Sequence, residues 1–340
     1  MRRPAPAARP RKPMPAPKPM PAQPPMLKRA APAKATGLTR SGLPGFELEA
    51  LLHRGQGVEV WRARSTSGER VAVKTASSGT GSHPGIGAWL EREHAILAAL
   101  SHPCIVRTVA CGQGAALVME YLGGGDLVPL AGTPAAGWLG AAAGLVAALE
   151  HVHARGFVHG DVKARNVLFA ETREAEGPAK LADFGSALPI GAPHPEPWGT
   201  AAHRPLRFRM LRAAPEEDVY ATAVLLYELL SGRLPFGRDP LAAAEPDWPL
   251  RSASDGSRRS SRRPRFNDAH LEPLAKRVMA TLQASAPAEV GTLSEFADVI
   301  ESVRMPLEAA GYPALNIVPA ESVDTVYACG ASSLDRQAKS

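Results

Sequence analysis

His159-Gly160-Asp161-Val162-Lys163-Ala164-Arg165-Asn166 leads straight into Val167-Leu168-Phe169, a short apolar run that reads as a strand. After a polar insert at 171–177, Ala179-Lys180-Leu181-Ala182 reads as a second short strand and ends at Asp183-Phe184-Gly185. If the two strands pair antiparallel, Asn166 at the start of one lies beside Asp183 at the end of the other. An amide oxygen and a carboxylate brought together are hard donors, of the sort Mg²⁺ accepts while it also holds phosphate oxygens. Asp161 and Lys163 sit just upstream on the same loop. A carboxylate, an ammonium and a metal pair suit phosphoryl transfer, a reaction that depends mainly on positioning and charge neutralisation.

Working back toward the N-terminus, Phe46-Glu47-Leu48, Val58-Glu59-Val60-Trp61 and Val71-Ala72-Val73-Lys74 alternate like strands. His53-Arg54-Gly55-Gln56-Gly57 lies between the first two, either as a turn over a phosphate or as an ordinary hairpin. A period of two puts Ala72 and Lys74 on one face of the third strand, with Val71 and Val73 on the other. A lysine facing inward needs an anion. In the helix that follows, Trp89, Ile96, Leu97 and Leu100 form an apolar stripe, and Glu93 falls within it. Glu93 on the buried face is tolerable if it meets Lys74; the alternative is a helix rotated so that Glu93 reaches solvent.

The composition sets limits. The 340 residues are 45% apolar and 21% charged, as in an ordinary globular protein, but include 33 prolines, about twice the usual share. Residues 1–40 hold 11 of those prolines, 10 Lys or Arg and no acid. Without them, 29 basic residues face 33 acidic ones, so the formal charge of +6 comes from the tail. Residues 1–44 are expected to form a disordered Pro/Arg/Lys-rich basic arm, either merely solvated or touching an acidic partner or anionic surface by charge alone. The arm lacks the apolar core of a secretory signal, and no specific nucleic-acid binding is expected. Cys104, Cys111 and Cys329 match no ligand spacing and cannot all pair, which suits a reducing, cytoplasmic setting. Residues 127–149 carry no charge, yet Pro129 and Pro134 interrupt them, so they read as a buried helix rather than a membrane span. Thr133 and Pro134 read as its N-cap and first position, and Trp138, Leu139, Leu145, Val146, Leu149 and Val152 as its apolar face.

Taken together, these motifs resemble the protein kinase superfamily, in particular bacterial-type serine/threonine kinases. Val71-Ala72-Val73-Lys74 is similar to the V-A-I-K strand, Glu93 to the helix-C glutamate and Val118-Met119-Glu120-Tyr121-Leu122 to the hinge. Residues 159–166 are similar to the catalytic loop, and Asp183-Phe184-Gly185 to the metal motif. Asp218-Val219-Tyr220 resembles the start of the helix that anchors the catalytic loop. The resemblance implies an α+β, two-lobed fold: a small antiparallel β lobe with one helix (45–119), a hinge (120–123) and a larger, mainly helical lobe (124–305), followed by a largely irregular tail (306–340). It implies ATP and Mg²⁺ as cofactors and a protein as substrate. Asp161 is then the catalytic carboxylate, with Lys163 steadying the transferring group. Asn166 and Asp183 hold the metal, and Lys74, clamped by Glu93, grips the phosphates. Leu52, Gly55, Val60, Ala72 and Leu168 surround the nucleotide, and backbone atoms of Glu120 and Leu122 bond the adenine edge.

The departures from the family pattern are specific. His53 and Val58 stand where the first and third glycines of the phosphate loop are expected, so only Gly55 aligns. Gly160 replaces the usual arginine, which in kinases that carry it receives a phosphate from the activation segment. Residues 187–199 hold no Ser, Thr or Tyr, so receiver and acceptor are missing together and activation by loop phosphorylation is not expected. Arg207 and Val290 replace a glutamate and arginine that normally pair; losing both is nearly neutral where losing one is not. Residues 257–265 form a basic loop, either a docking element modifiable at Ser261 or a solvated insert. A nucleotide-binding pseudokinase is the rival reading.

Overall fold

Alternating β-branched and apolar residues build one sheet at the N-terminal end of the structured region. In the computed structural model, residues 45–55, 57–77, 85–112, 116–170, 178–195, 199–205, 208, 210–237 and 269–309 are described. Strands β1 (Phe46–Gly55), β2 (Val58–Ser65), β3 (Arg70–Ala76), β4 (Thr108–Gly112) and β5 (Ala116–Glu120) form a five-stranded sheet in the order β1-β2-β3-β5-β4. Every pairing is antiparallel, and bulges in β1 at Leu48/Ala50 and Leu51/His53 raise its local twist. The register fixes two faces. Val60 lies opposite Lys74, and Leu117 opposite Lys74 from the other side, while Ala72 faces Met119. Val71, Val73, Ala63 and Val118 cluster on the reverse face. The alternation expected for β3 is therefore the one observed.

Helix α1 (Ile86–Ala98) crosses the inner face between β3 and β4, burying Leu90, Glu93, Ile96 and Leu97. Leu90 completes the stripe as its best-buried apolar member, and Trp89 is only partly covered. The turn that follows, through His102 and Cys104, joins the sheet to what lies below. Leu181 donates its N–H to the Cys104 carbonyl and accepts from Val106 N–H.

Below the sheet lie α2 (Leu139–Ala154), α3 (Pro215–Ser231), α4 (Glu272–Leu282) and α5 (Leu293–Ala309), with the two-stranded pieces β6 (Phe157–Val158) with β9 (Leu188–Pro189) and β7 (Val167–Leu168) with β8 (Lys180–Leu181). This is the two-lobed α+β arrangement that the resemblance implies, a small antiparallel sheet with one helix above a larger, mainly helical lobe. α3 is buried on nearly every side from Glu217 to Leu230, so it is the central pillar of the lower lobe rather than an amphipathic surface helix. Pro215 at its first position and Gly232 in the left-handed conformation after its last turn set its ends. Three acids in its first turn, Glu216, Glu217 and Asp218, favour the positive end of the helix dipole.

Two expectations need correction. Thr133 and Pro134 do not start α2: Pro134 instead precedes a single 3₁₀ turn over Ala135–Gly137, and α2 begins at Leu139 after Trp138. The Thr133 hydroxyl turns back to donate to the Leu130 carbonyl, so it cannot cap a helix ahead of it. The apolar face from Trp138 to Val152 is buried as expected. No helix among the described residues is long and apolar enough to cross a membrane. The second correction is at the C-terminal end, where α5 runs through Pro306 to Ala309 rather than stopping at 305. Leu307 is fully buried and extends the series Phe296, Ile300 and Val303 at helical spacing. The basic arm, the 257–265 loop, Arg207, Cys329 and the tail beyond 309 lie outside the described residues; Cys104 and Cys111 are free thiols.

Candidate active site

The cleft between the two lobes is built around Lys74. Its Nζ lies 3.0 and 2.8 Å from the two carboxylate oxygens of Glu93 and 2.8 Å from Oδ1 of Asp183. Glu93 is 1% exposed, so the solvent-facing alternative for that residue is overturned and α1 sits inward. Burial opposes the charge on Lys74, but Asp183 and Glu93 outweigh it and hold the ammonium above the ordinary lysine range. Burial likewise disfavours charge on Asp183, yet the Lys74 ammonium overcomes this and keeps the carboxyl below its usual range. The Asp183 side chain remains 46% accessible to the cleft while Lys74 is 6% accessible. The acid thus faces the open space and the base supports it from behind.

Local backbone geometry accounts for this placement. β7 and β8 pair with Val167 opposite Leu181, so Asn166 lies across from Ala182, whose N–H donates to the Asn166 carbonyl at 2.8 Å. Asp183 is the next residue and leaves the strand at φ 64°, the only left-handed non-glycine among the described residues. Such a conformation costs about 1–3 kcal/mol and persists only when the surroundings enforce it. Here the enforcement comes from Lys74 on one side and from buried Phe184 on the other, which packs edge-on against His159 at 4.7 Å.

Trp89 is a contributor that sequence reading placed only as core. Its ring lies 4.5 Å from Lys74 Nζ, and its Nε1 donates to the Gly185 carbonyl at 2.8 Å. A Cβ on Gly185 would fall 2.2 Å from the Trp89 ring. Gly185→Ala is therefore expected to displace Trp89 and, through α1, the Glu93–Lys74 pair. A shift on the scale of 1 Å at reacting groups costs about 10²-fold, and kcat/KM of the purified variant reads it directly.

The loop after β6 holds the second set of groups. Asp161, 9% exposed, accepts from Lys163 Nζ at 2.5 Å on Oδ2 and from the Thr200 hydroxyl at 2.6 Å on Oδ1. Lys163 Nζ also donates to Thr200 Oγ1 at 3.1 Å. Asn166 Nδ2 donates to the Asp161 carbonyl at 2.8 Å, which directs its amide oxygen elsewhere. Thr200, which the motifs alone do not single out, closes a three-residue network. Its signal was faint: a lone Gly199-Thr200 after a proline-rich run.

Asp218 on α3 fixes the loop. Fully buried, it accepts from the N–H of His159 at 2.8 Å and of Gly160 at 2.9 Å, and from His153 Nε2 at 2.8 Å. The anchoring expected of this helix is thus direct, and His153 is a partner that sequence reading did not single out.

The remaining nominated residues flank the cleft. Val60 and Ala72 share the face of Lys74 by register, and Leu168 and Leu122 pack on the main core beneath it. Leu52 is exposed at the end of β1, and Gly55 ends that strand, where the His53 ring would lie 3.0 Å from a Cβ on it. At Glu120 the backbone N–H is already given to the Arg107 carbonyl at 3.0 Å, and the side chain is tied to Lys180 at 2.8 and 2.9 Å. Its backbone N–H is therefore not available to a ligand.

Comparison with known proteins agrees with this geometry. Residues 46–253 match the family model described as protein kinase domain. A probable serine/threonine-protein kinase of Streptomyces coelicolor is 33% identical over 219 residues, covering 58% of this chain and 32% of that protein. Serine/threonine-protein kinase PkaA of the same organism is 37% identical over 229 residues, covering 56% of this chain and 40% of its own length. Serine/threonine-protein kinase PknA of Mycobacterium tuberculosis is 33% identical over 221 residues, covering 60% and 50%. The chain thus spans about a third to a half of the length of these relatives.

Proposed function

The chain belongs to the protein kinase family, and from that premise we propose that it transfers the γ-phosphoryl group of ATP to serine or threonine hydroxyls of protein substrates. The observation that carries this reading is the contact set of Asp161, a carboxylate already holding a hydroxyl (Thr200) on one oxygen and an ammonium (Lys163) on the other. An acceptor alcohol needs that arrangement to lose its proton while charge on the transferring group is neutralised. In this reading Asp161 orients the acceptor and takes its proton, Lys163 steadies the transferring group, and Lys74, braced by Glu93, binds the nucleotide phosphates. Val60, Ala72, Leu168 and Leu52 form the apolar slot for adenine, with Gly55 in the turn above the phosphates and the Glu120 carbonyl and Leu122 backbone at its edge.

Asp183 and Asn166 are the residues to hold Mg²⁺. One carboxylate and one amide oxygen fit an ion that keeps phosphate oxygens among its ligands, but not an all-protein cage. Bound there, the ion neutralises phosphate charge. We read 45–309, to the end of α5, as the catalytic domain, 1–44 as a basic arm for an acidic partner or anionic surface, and the cytoplasm as its setting.

The His53 ring packed over Gly55 crowds the phosphate turn and favours one rival, a nucleotide-binding protein without transfer. Radiolabelled ATP with generic protein substrates separates the two. Wild type should label protein and Asp161→Ala should fall to near background; equal signals would remove the enzyme reading.

A further inference from the structure

Two of the three acids in the first turn of α3, Glu217 and Asp218, are buried side by side, and the proposed reaction uses only one of them. Asp218 holds the catalytic loop; Glu217 turns the other way. It is 3% exposed, and its Oε1 lies 2.6 Å from Nε2 of His194, whose side chain is itself 5% accessible. His194 belongs to the segment between Asp183 and Thr200, in which residues 187–199 contain no hydroxyl to phosphorylate. We propose that Glu217, through His194, is a positioning residue that latches this segment against the catalytic loop and takes the place of an activating phosphate. The proposal rests on the kinase reading above and names what holds its activation segment.

The segment is tied to the α3 side at successive points. Gly191 N–H donates to the Ala213 carbonyl at 2.7 Å, and Ala213 N–H returns a bond to Ala192 at 2.8 Å. Pro193 bridges Arg212, whose guanidinium donates to the Gly191 carbonyl at 2.8 Å. His194 follows at once and reaches Glu217, and six residues later Thr200 sits on Asp161 and Lys163. The latch therefore lies between a paired stretch and the residue that touches the catalytic carboxylate.

Gly160 shows why no cation is needed there. It has φ +75°, and a Cβ on it would come 2.9 Å from the Ser186 carbonyl oxygen. Gly199, at φ +55°, would place a Cβ 2.6 Å from the Gly160 carbonyl oxygen. Two stretches of the segment thus press on the catalytic loop from both sides, at a spacing only glycine allows. An arginine at 160 has no room in this arrangement. Glu217 also lines a small cavity with Gly160, Asp161, Thr200 and His203, between segment and loop. An acid placed there without function would be costly. Burial, with Asp218 next to it, pushes the Glu217 carboxyl up to about 8, so it holds a proton to share with the imidazole at neutral pH. Burial and the nearby Arg204 lower the imidazole in turn, against the backbone of Arg212. The pair holds as a neutral hydrogen bond and does not depend on an exposed salt bridge.

The test uses the full chain, treated with phosphatase, as wild type, Glu217→Ala, His194→Ala and Glu217→Gln. Wild type should keep its activity after phosphatase. Glu217→Ala and His194→Ala should lower kcat by about 10- to 100-fold, as expected for misplaced reacting groups, while calorimetric affinity for Mg-ATP stays near wild type. Hydrogen exchange at 191–200 should speed up in both. Glu217→Gln, which can still donate and accept, should restore kcat and exchange protection together. Loss of wild-type activity on phosphatase treatment, unchanged exchange in both truncations, or a Gln variant no better than Ala would overturn the latch. If Glu217→Ala fails to fold, His194→Ala carries the same comparison. A wild-type chain that transfers no phosphate at all removes the kinase reading instead, and exchange at 191–200 still decides the latch.

Discussion

Asp161→Ala should reduce kcat for protein phosphorylation by about 10³-fold, within the range of 10²–10⁴ for losing a positioned proton acceptor, and leave nucleotide affinity close to wild type. The separation follows from the geometry. Lys74, Glu93 and Asp183 form one cluster with contacts of 2.8–3.0 Å, and none of these bonds involves Asp161. Truncating Asp161 instead frees Lys163 and Thr200 and removes only a long 3.3 Å contact from Asn166 Nδ2, whose 2.8 Å bond to the Asp161 carbonyl is kept. Steady-state kcat and an independent nucleotide titration on the same preparation check both halves. A variant that loses nucleotide affinity in step with kcat would mean that the two clusters are one structural unit.

Asp218→Ala should produce the largest loss of stability, about 3–5 kcal/mol, the usual result of removing one partner from a buried charged network. The substitution strands two backbone N–H donors, on His159 and Gly160, together with the His153 ring in a site where Asp218 is 0% exposed. Burial works against the charge on Asp218, but the hydrogen bond and charge of His153 outweigh it and hold the carboxyl below its ordinary range. The stabilisation is therefore fully present above the ordinary carboxylate pKa and is lost as pH falls through the lowered one. Urea unfolding midpoints at neutral and acid pH read this. The gap between wild type and Asp218→Ala should be wide at pH 7 and narrow at low pH, and a constant gap would show that the loss is one of packing alone.

How far the sequence carried the reading depended on the range of each interaction. Strand alternation put Lys74 on the inner face, and a stripe at helical spacing put Glu93 on the buried side of α1, because local periodicity sets both. Their meeting at 2.8 Å is tertiary, and only the surrounding motifs made it the better of two options. The antiparallel pairing of β7 with β8 was legible from two short apolar runs, although the register sets Asn166 across from Ala182, one residue short of Asp183. What could not be read were contacts spanning long separations between common residue types. Thr200 on Asp161, His153 on Asp218, Trp89 on Gly185 and His194 on Glu217 join positions 39, 65, 96 and 23 residues apart. Each of these residues, taken alone, looks like an ordinary polar or core side chain. The misplaced start of α2 has another origin: Thr-Pro signals a helix start, but here Pro134 opens a 3₁₀ turn first.

The central claim is that an ammonium from the upper lobe and oxygen donors from the lower one converge on a single magnesium-bound triphosphate. Calorimetric titration of the full chain with ATP, with and without Mg²⁺, tests it most directly, using wild type, Lys74→Met and Asp183→Asn. Wild type should bind, more tightly with the metal. Each variant should bind about 30-fold more weakly or worse, since truncating one member of a buried, hydrogen-bonded charge pair costs at least about 2 kcal/mol. Wild-type binding that is indifferent to Mg²⁺, or variants that bind as wild type does, would contradict it.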